Sequence, residues 1–287
     1  MVNWTYNDID VYISSSDNIL GETSVNTNSW VPLSTYGLLR SRVALTPSTV
    51  EGTSITIPGR DGKTYSTDSG RGNAKIEFEV LIADEWVHRT SETTVSMTVR
   101  ERTDMVAALL NNARRIAYKQ PGRTANSYFM IYKTTLTFQD ADEKAFVIKV
   151  QMEVHPFEFY LSGNTPITIA AGGTGSFTNS LPNSVCRPTY VIGNTSDGYI
   201  DLSRESQSVA TRFNRVHVRK AINQAEGNEL VLDSFLQLIY SKNTIENMNS
   251  YIDGDVQNVK FPQGMTTYIN NFTLATVIVY PRGGIIR

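Results

Sequence analysis

The sequence predicts an α+β domain followed by an all-β sandwich. Three observations support this fold class: a long alternation of apolar and polar side chains over residues 134–160, one amphipathic helix over residues 99–113, and short strand-like segments recurring about every eight to twelve residues beyond residue 165. Ser, Gly, Asn and Pro follow the last aromatic side chain of the first part. The predicted domains are therefore residues 1–163 and 164–287.

The alternating stretch predicts a β-hairpin with one apolar and one polar face, because successive side chains of a strand point to opposite sides. Residues 140–143 form its polar turn. A two-stranded hairpin is not stable alone in water, so it needs partners from a wider sheet of the same chain or from a neighbouring copy. We predict that its apolar side chains serve assembly, namely Leu136, Phe138, Phe146, Ile148, Val150, Met152 and Val154.

One helix is predicted before the hairpin. Thr98 and Glu101 have the spacing of a capping box, and an apolar stripe follows at spacings of three and four residues up to Ala113. Arg114 and Arg115 lie where the helix is expected to end, which favours its dipole. Further strands are predicted at residues 9–13, 55–57 and 75–82. Together these elements give the first domain its α+β character.

The second domain shows turn residues between short strands, predicted at residues 167–170, 189–192, 215–219, 229–232, 251–256, 267–272 and 276–280. This spacing is typical of a β-sandwich or a jelly-roll-like module. Residues 235–249 have a helical pattern weakened by Ile239, Tyr240, Thr244 and Ile245.

Composition excludes several function classes. The net charge of −2 and the pI near 6.0 give no basic surface for nucleic acid. A single cysteine, Cys186, excludes an internal disulfide and a cysteine-based metal site, and we expect it to be a buried apolar side chain. Residues 1–13 have no secretion signal, and no apolar run reaches the roughly 18 residues of a membrane helix. We therefore expect folding in a cytoplasm and no membrane partner.

The sequence offers no convincing catalytic, cofactor or metal site. Residues 58–64 end in Gly-Lys-Thr like a phosphate loop, but the motif needs a glycine five positions before Gly62, where Ile57 stands. The histidines lie in separate segments without helical pairing; they are His88, His155 and His217. We predict a protein that is not an enzyme and needs no cofactor.

The order of several motifs resembles one known family. In the first half these are Ile57-Pro58-Gly59-Arg60-Asp61-Gly62 after a strand, the helix near residue 105, and the hairpin ending in His155-Pro156-Phe157-Glu158-Phe159-Tyr160. In the second half they are Glu229-Leu230-Val231-Leu232-Asp233, Asp253-Gly254-Asp255, Phe261-Pro262-Gln263-Gly264 and Tyr280-Pro281-Arg282. The chain resembles the distal tail proteins (Dit) of siphophages, which cap the tail tube and form the hub of the baseplate or tail tip.

This resemblance implies a tube-like first domain that assembles into a homohexameric ring and a galectin-like sandwich at its periphery. It adds Pro58, Gly59 and Arg60 to the predicted assembly residues. The expected partners are other copies of the chain, the tail tube protein, the tail-associated hub protein, and receptor-binding or other baseplate proteins. The expected location is the virion, after assembly in the host cytoplasm.

Three alternatives remain open. A carbohydrate- or receptor-binding module would use the sandwich, although the tryptophans all lie in the first half, at Trp4, Trp30 and Trp86. A tail tube or minor tail protein would share the hairpin but polymerise into long tubes. An enzyme that cleaves glycan or peptidoglycan is the least favoured of the three, because no pair of carboxylates stands out as general acid and base.

Overall fold

The structure is a computed structural model. It describes residues 9–16, 20–49, 54–56, 63–65, 72–83, 97–142, 145–179, 184–193, 198–204, 216–218, 229–234, 238–242, 247–253, 261–262, 264–270 and 276–287. The described residues are mostly β-strand with one α-helix, and their sheets are antiparallel. None of their helices is both long and apolar enough to cross a membrane.

The chain forms two compact units with exchanged segments. The first unit contains Met1–Asn18, Ser24–Glu158 and Ile286–Arg287, and the second contains Ile19–Thr23 and Phe159–Ile285. Because residues 19–23 and 286–287 are exchanged, no single cut of the chain separates the units. The predicted division at residue 163 stays a prediction.

Among the described residues up to Tyr160 there are eleven strands, the α-helix α1 (Val99–Asn111) and a short 3-10 helix (Leu33–Thr35). The strands are β1 (Asp10–Ser14), β2 (Val31–Pro32), β3 (Leu38–Leu39), β4 (Ala44–Thr46), β5 (Ser54–Thr56), β6 (Lys63–Tyr65), β7 (Ala74–Ala83), β8 (Arg115–Lys119), β9 (Ser127–Asp142), β10 (Ala145–Val154) and β11 (Phe157–Tyr160).

The predicted capping box begins α1. The backbone N–H of Glu101 donates to Thr98 Oγ1 at 3.2 Å, and the backbone N–H of Thr98 donates to Glu101 Oε2 at 2.8 Å. These bonds satisfy two donors near the helix start that would otherwise lack a partner. Val106 and Leu110 of the helix are fully buried. The helix predicted from the sequence is therefore confirmed, and it supplies part of the core.

The strand β10 lies at the centre of the first unit, between β7 and β9. The edge of β7 away from β10 pairs with β3 and β4, so the order across this sheet is β3 and β4 in line, then β7, β10 and β9. The beginning of β9 also pairs with β8, which continues to β1 and β2. The core draws side chains from both parts of this arrangement and from α1.

The second unit contains the remaining strands. They are β12 (Ile167–Ile169), β13 (Thr174–Asn179), β14 (Ser184–Cys186), β15 (Thr189–Ile192), β16 (Gly198–Arg204), β17 (Val216–Val218), β18 (Leu230–Asp233), β19 (Leu238–Ser241), β20 (Ile252–Asp253), β21 (Phe261–Pro262), β22 (Gly264–Asn270), β23 (Val277–Tyr280) and β24 (Gly283–Ile286), the last of which ends in the first unit.

Two five-stranded antiparallel sheets organise this unit. Their strand orders are β12-β23-β15-β18-β19 and β13-β22-β16-β17-β20. Its apolar core combines side chains of the first sheet, such as Tyr190 and Leu232, with Val218 of the second. Cys186 belongs to this core, and burial raises the pKa of its thiol to about 12. The prediction that Cys186 is buried is confirmed.

Three sequence predictions differ from the structure. The helix ends at Asn111, and Arg115 begins β8 instead of closing the helix. The strand β9 begins at Ser127, earlier than the hairpin predicted from residue 134. Within the segment with a weak helical pattern, residues 238–241 form the strand β19 because they pair with β18. In each case tertiary pairing overrides the local pattern.

Candidate assembly surface

The apolar face of β10 is covered within the chain. The side chains of Ile148, Val150, Met152 and Val154 are at most 2% exposed and belong to the core that also contains Val106 of α1. The wider sheet and the helix supply the partners that the hairpin needs, so a neighbouring copy is not required to cover these four residues. Their predicted role in assembly stays a prediction.

The other three predicted assembly residues of the hairpin are more accessible. Leu136 and Phe146 are half-buried at the margin of the core, and Phe138 is 52% exposed. Phe138 pairs with Ile148, and Phe146 follows diagonally on the same face. We call these three residues the apolar ledge. The remaining predicted assembly residues, Pro58, Gly59 and Arg60, lie outside the described residues.

The ledge borders an open strand edge. The strand β8 pairs with Phe129 and Met130, and Ile131 donates its N–H to Arg114 on that side. From Lys133 to Asp142, the described part of the chain gives β9 a neighbour only on the side of β10. This edge of ten residues is about 33 Å long at roughly 3.3 Å per residue.

The opposite margin of the sheet is also open. The strand β4 pairs with β7, and the described residues place no strand on its other side. Leu45 is half-buried and packs at the margin of the core, whereas Ala44 and Thr46 are exposed on the polar face. Both margins of the sheet therefore present apolar side chains on the core face and small polar or apolar ones on the other.

The polar face of the sheet carries cross-strand pairs. Lys149 Nζ lies 3.6 Å from Glu79 Oε1, and Gln151 Nε2 donates to Glu77 Oε1 at 2.9 Å. A groove of about 580 Å³ lies above them, and Arg42 and Thr137 are among its lining residues. Its charged side chains balance in sign. Exposed pairs of this kind add little stability, so this part of the face is a solvated surface with a fixed pattern of charges.

A buried carboxylate fixes the chain beside the hairpin. The Glu158 carboxylate receives hydrogen bonds of 2.5 Å from Arg123 Nη2, Ser127 Oγ and Arg287 Nε. The Arg123 guanidinium also lies 4.0 Å above the Tyr118 ring. Burial alone would raise the pKa of Glu158, but the charges of Arg123 and Arg287 and the Ser127 hydroxyl outweigh it and hold the pKa below its ordinary value.

A second buried ion pair lies in the second unit. Arg282 Nη1 donates to Asp233 Oδ2 at 2.8 Å and to Thr189 Oγ1 at 3.2 Å, and its guanidinium stacks over the Phe159 ring at 4.8 Å. The sequence placed Glu158, Asp233 and Arg282 within motifs but assigned no role to any of them. A charged residue inside an apolar run could have indicated these buried ion pairs, because such a residue needs a buried partner.

The absence of a catalytic, cofactor or metal site stays a prediction. The described His, Cys, Asp and Glu side chains form no group of three that could hold a metal ion. His155 lies against the Tyr132 ring, and its Nδ1 accepts the N–H of Phe157. His217 pairs with Asp253 across β17 and β20, while His88 lies outside the described residues.

Comparisons with known proteins point to one fold. No protein-family model matches the chain, and no curated protein matches its sequence. The crystal structure of the SPP1 Dit (gp 19.1) protein matches with a TM-score of 0.52 and 13% identity, covering 96% of this chain and 98% of that one. Two structures of the phage P2 baseplate in its activated conformation, with Ca and with Sr, match at a TM-score of 0.48 and 9% identity, covering 94% of this chain and 97% of theirs. The chain has a Dit-like fold.

Proposed function

We propose that this protein is a structural component of a siphophage tail, a distal tail hub without catalytic activity. The Dit-like fold over nearly the whole chain supports this proposal. In the proposed role, the first unit forms a homohexameric ring at the end of the tail tube. The protein assembles in the host cytoplasm and resides in the virion.

The observation that carries the proposal is the edge of β9 beside the apolar ledge, which no described strand covers on the side away from β10. A long edge with an exposed aromatic side chain is a hazard for a protein that stays monomeric, because any compatible strand can pair with it. Here the edge from Lys133 to Asp142 includes Phe138 and has a single lysine. Covering the edge with a strand of another copy would satisfy its backbone groups and bury the ledge.

Strand direction favours a head-to-tail contact. All pairings from β4 through β7 and β10 to β9 are antiparallel, so β9 and β4 run in opposite directions. Joining β9 of one copy to β4 of the next therefore continues the antiparallel sheet, with Leu45 on the same face as Leu136. A contact between two different surfaces repeats from copy to copy and closes into a ring when the rotation permits. The number six comes from the Dit resemblance.

The second unit has a separate proposed role. We propose that its two sheets form a galectin-like sandwich that docks neighbouring tail proteins, including the tail-associated hub protein and receptor-binding or other baseplate proteins. Its two five-stranded sheets and shared apolar core support a sandwich. Through these partners the protein would contribute to host attachment.

Mass measurement of the purified protein tests the ring. Mass photometry at low micromolar concentration, alone and with the tail tube protein, should give particles of six 32.0 kDa chains, about 192 kDa. Negative-stain images should show single rings. Long tubes would favour the tail tube alternative, and a strictly monomeric particle under both conditions would overturn the proposal.

A further inference from the structure

The chain makes an excursion between β4 and β7 that closes on a narrow base. It leaves the sheet after Thr46 and rejoins it at Ala74, and between these points the backbone N–H of Gly72 donates to the Thr49 carbonyl at 3.1 Å. The strands β5 and β6 lie within this excursion and, among the described residues, pair only with each other. A two-stranded hairpin is marginally stable alone.

Ser48 stands directly before this base and binds a distant part of the chain. Its backbone N–H and its hydroxyl both donate to the backbone carbonyl of Arg287, at 3.2 and 2.5 Å. The two residues are 239 positions apart in sequence. The contact therefore ties the end of β4 and the base of the excursion to residue 287.

Arg287 is itself held at two points. Its backbone N–H donates to the Pro156 carbonyl at 2.8 Å, and its Nε donates to Glu158 Oε2 at 2.5 Å. The Glu158 side chain is 2% exposed and is fixed in turn by Arg123 and Ser127. Hydrogen bonds between ionised groups are among the strongest in proteins, so the position of Arg287 is well defined.

We propose that Arg287 is a positioning residue for the base of the excursion. In this arrangement Glu158 orients Arg287, and the carbonyl of Arg287 then holds Ser48, Thr49 and the end of β4. The link to assembly rests on the proposed function, because β4 is one of the two margins that the ring would use. Loss of the Arg287 side chain would loosen that margin without altering the surface of β9.

Hydrogen–deuterium exchange tests the proposal in the full chain. The variant Arg287→Gln removes the charged bond to Glu158, keeps the backbone carbonyl and changes a side chain that is 40% exposed. At a concentration where the protein is monomeric, peptides covering residues 44–49 and 72–74 should exchange about tenfold faster than in the parent protein. Peptides of β10 should be unchanged.

Three further variants test this inference and separate it from the ring. Arg287→Lys keeps a charge near Glu158 and should restore most of the protection, whereas Ser48→Ala removes the hydroxyl bond and should give part of the loss. Phe138→Asp should change assembly but not exchange at residues 44–49 in the monomer. Unchanged exchange at residues 44–49 and 72–74 in Arg287→Gln would overturn the proposal whether or not rings form.

Discussion

Asp233 Oδ2 lies 2.8 Å from Arg282 Nη1, and the two side chains are only 4% and 5% exposed. Arg282 has a φ of 49°, a conformation that side-chain-bearing residues rarely adopt. Its backbone N–H donates to the Gly163 carbonyl, and its carbonyl accepts from Arg187. This one residue therefore joins β18, the segment after β11 and the segment between β14 and β15, through its charge and its backbone.

The variant Asp233→Asn should strongly destabilise the second unit. It leaves the Arg282 charge buried without its partner, which costs about 3–5 kcal/mol in typical proteins. Urea denaturation followed by fluorescence measures the loss. The matched control is Glu229→Gln, which breaks the more exposed pair with Lys242 and should cost at most about 1 kcal/mol. Equal losses in the two variants would contradict the role given to the buried pair.

The variant Glu158→Gln should lower stability in a pH-dependent manner. The charged groups that face this carboxylate are Arg123 and Arg287, with the Tyr118 hydroxyl nearby. Because the pKa of Glu158 is below its ordinary value of 4.5 in the folded protein, its contribution is complete above that pH and is lost as the pH falls through the lowered pKa.

The measurement is urea denaturation of both proteins from pH 3 to pH 8, which gives the free energy of unfolding at each pH. At neutral pH the free energy of unfolding of the parent protein should exceed that of the variant by about 3 kcal/mol. This difference should become smaller in acid. A gap that stays constant over the whole range would show that the charge of Glu158 is not the cause.

Gly163 should not tolerate a side chain. A Cβ at this position would lie 2.6 Å from the backbone nitrogen of Gly283 and 3.2 Å from the Arg282 Cα. Since backbone atoms must move to make room, Gly163→Ala should cost about 1–3 kcal/mol of unfolding free energy. Gly283→Ala is the control, because among the described residues its Cβ would contact just the Cys186 sulfur, at 3.4 Å. Thermal unfolding of both variants should rank them in this order.

Phe138→Asp should prevent assembly while leaving the chain folded. Phe138 is 52% exposed, so a charge there costs little in the monomer but would have to be buried against a neighbour. Gln139→Asp, the adjacent residue on the polar face, should still assemble. Val150→Asp, in contrast, should unfold the first unit, because Val150 is 2% exposed in the core. Mass photometry measures assembly, and circular dichroism measures folding. Normal rings of the Phe138→Asp variant would contradict the proposed assembly through the edge of β9.

Local signals made much of the first unit predictable. The capping box at Thr98 and Glu101 identifies the start of α1, and the period of two identifies β7 and β10, because each pattern reflects one buried face. The sequence pattern does not predict β8, because four of its five residues are buried and the alternation of apolar and polar side chains is absent. Strands buried on both faces resemble any short apolar run.

The contacts that define the candidate site could not be predicted from the sequence. Glu158 and Arg287 are 129 residues apart, and no local pattern relates them. The alternation also could not distinguish Val150, which the core covers, from Phe138, which it leaves accessible, because both lie on the same face of the hairpin. That difference depends on where α1 and the neighbouring strands end across the sheet.

Disulfide trapping between β4 and β9 tests the central claim most directly. Three strand spacings of about 4.8 Å separate these margins within one chain, roughly 14 Å, whereas a disulfide needs Cα atoms within about 7 Å. A chain carrying Thr46→Cys with Thr135→Cys or Thr137→Cys can therefore form this bond only with another copy. Cys186 stays as it is, since it is buried and the pKa of its thiol is raised.

Under oxidising conditions the ring account predicts a ladder of covalent species up to six chains on non-reducing gels for at least one pairing, and none for Thr46→Cys alone. Assembled rings that yield only single chains with both pairings would contradict it.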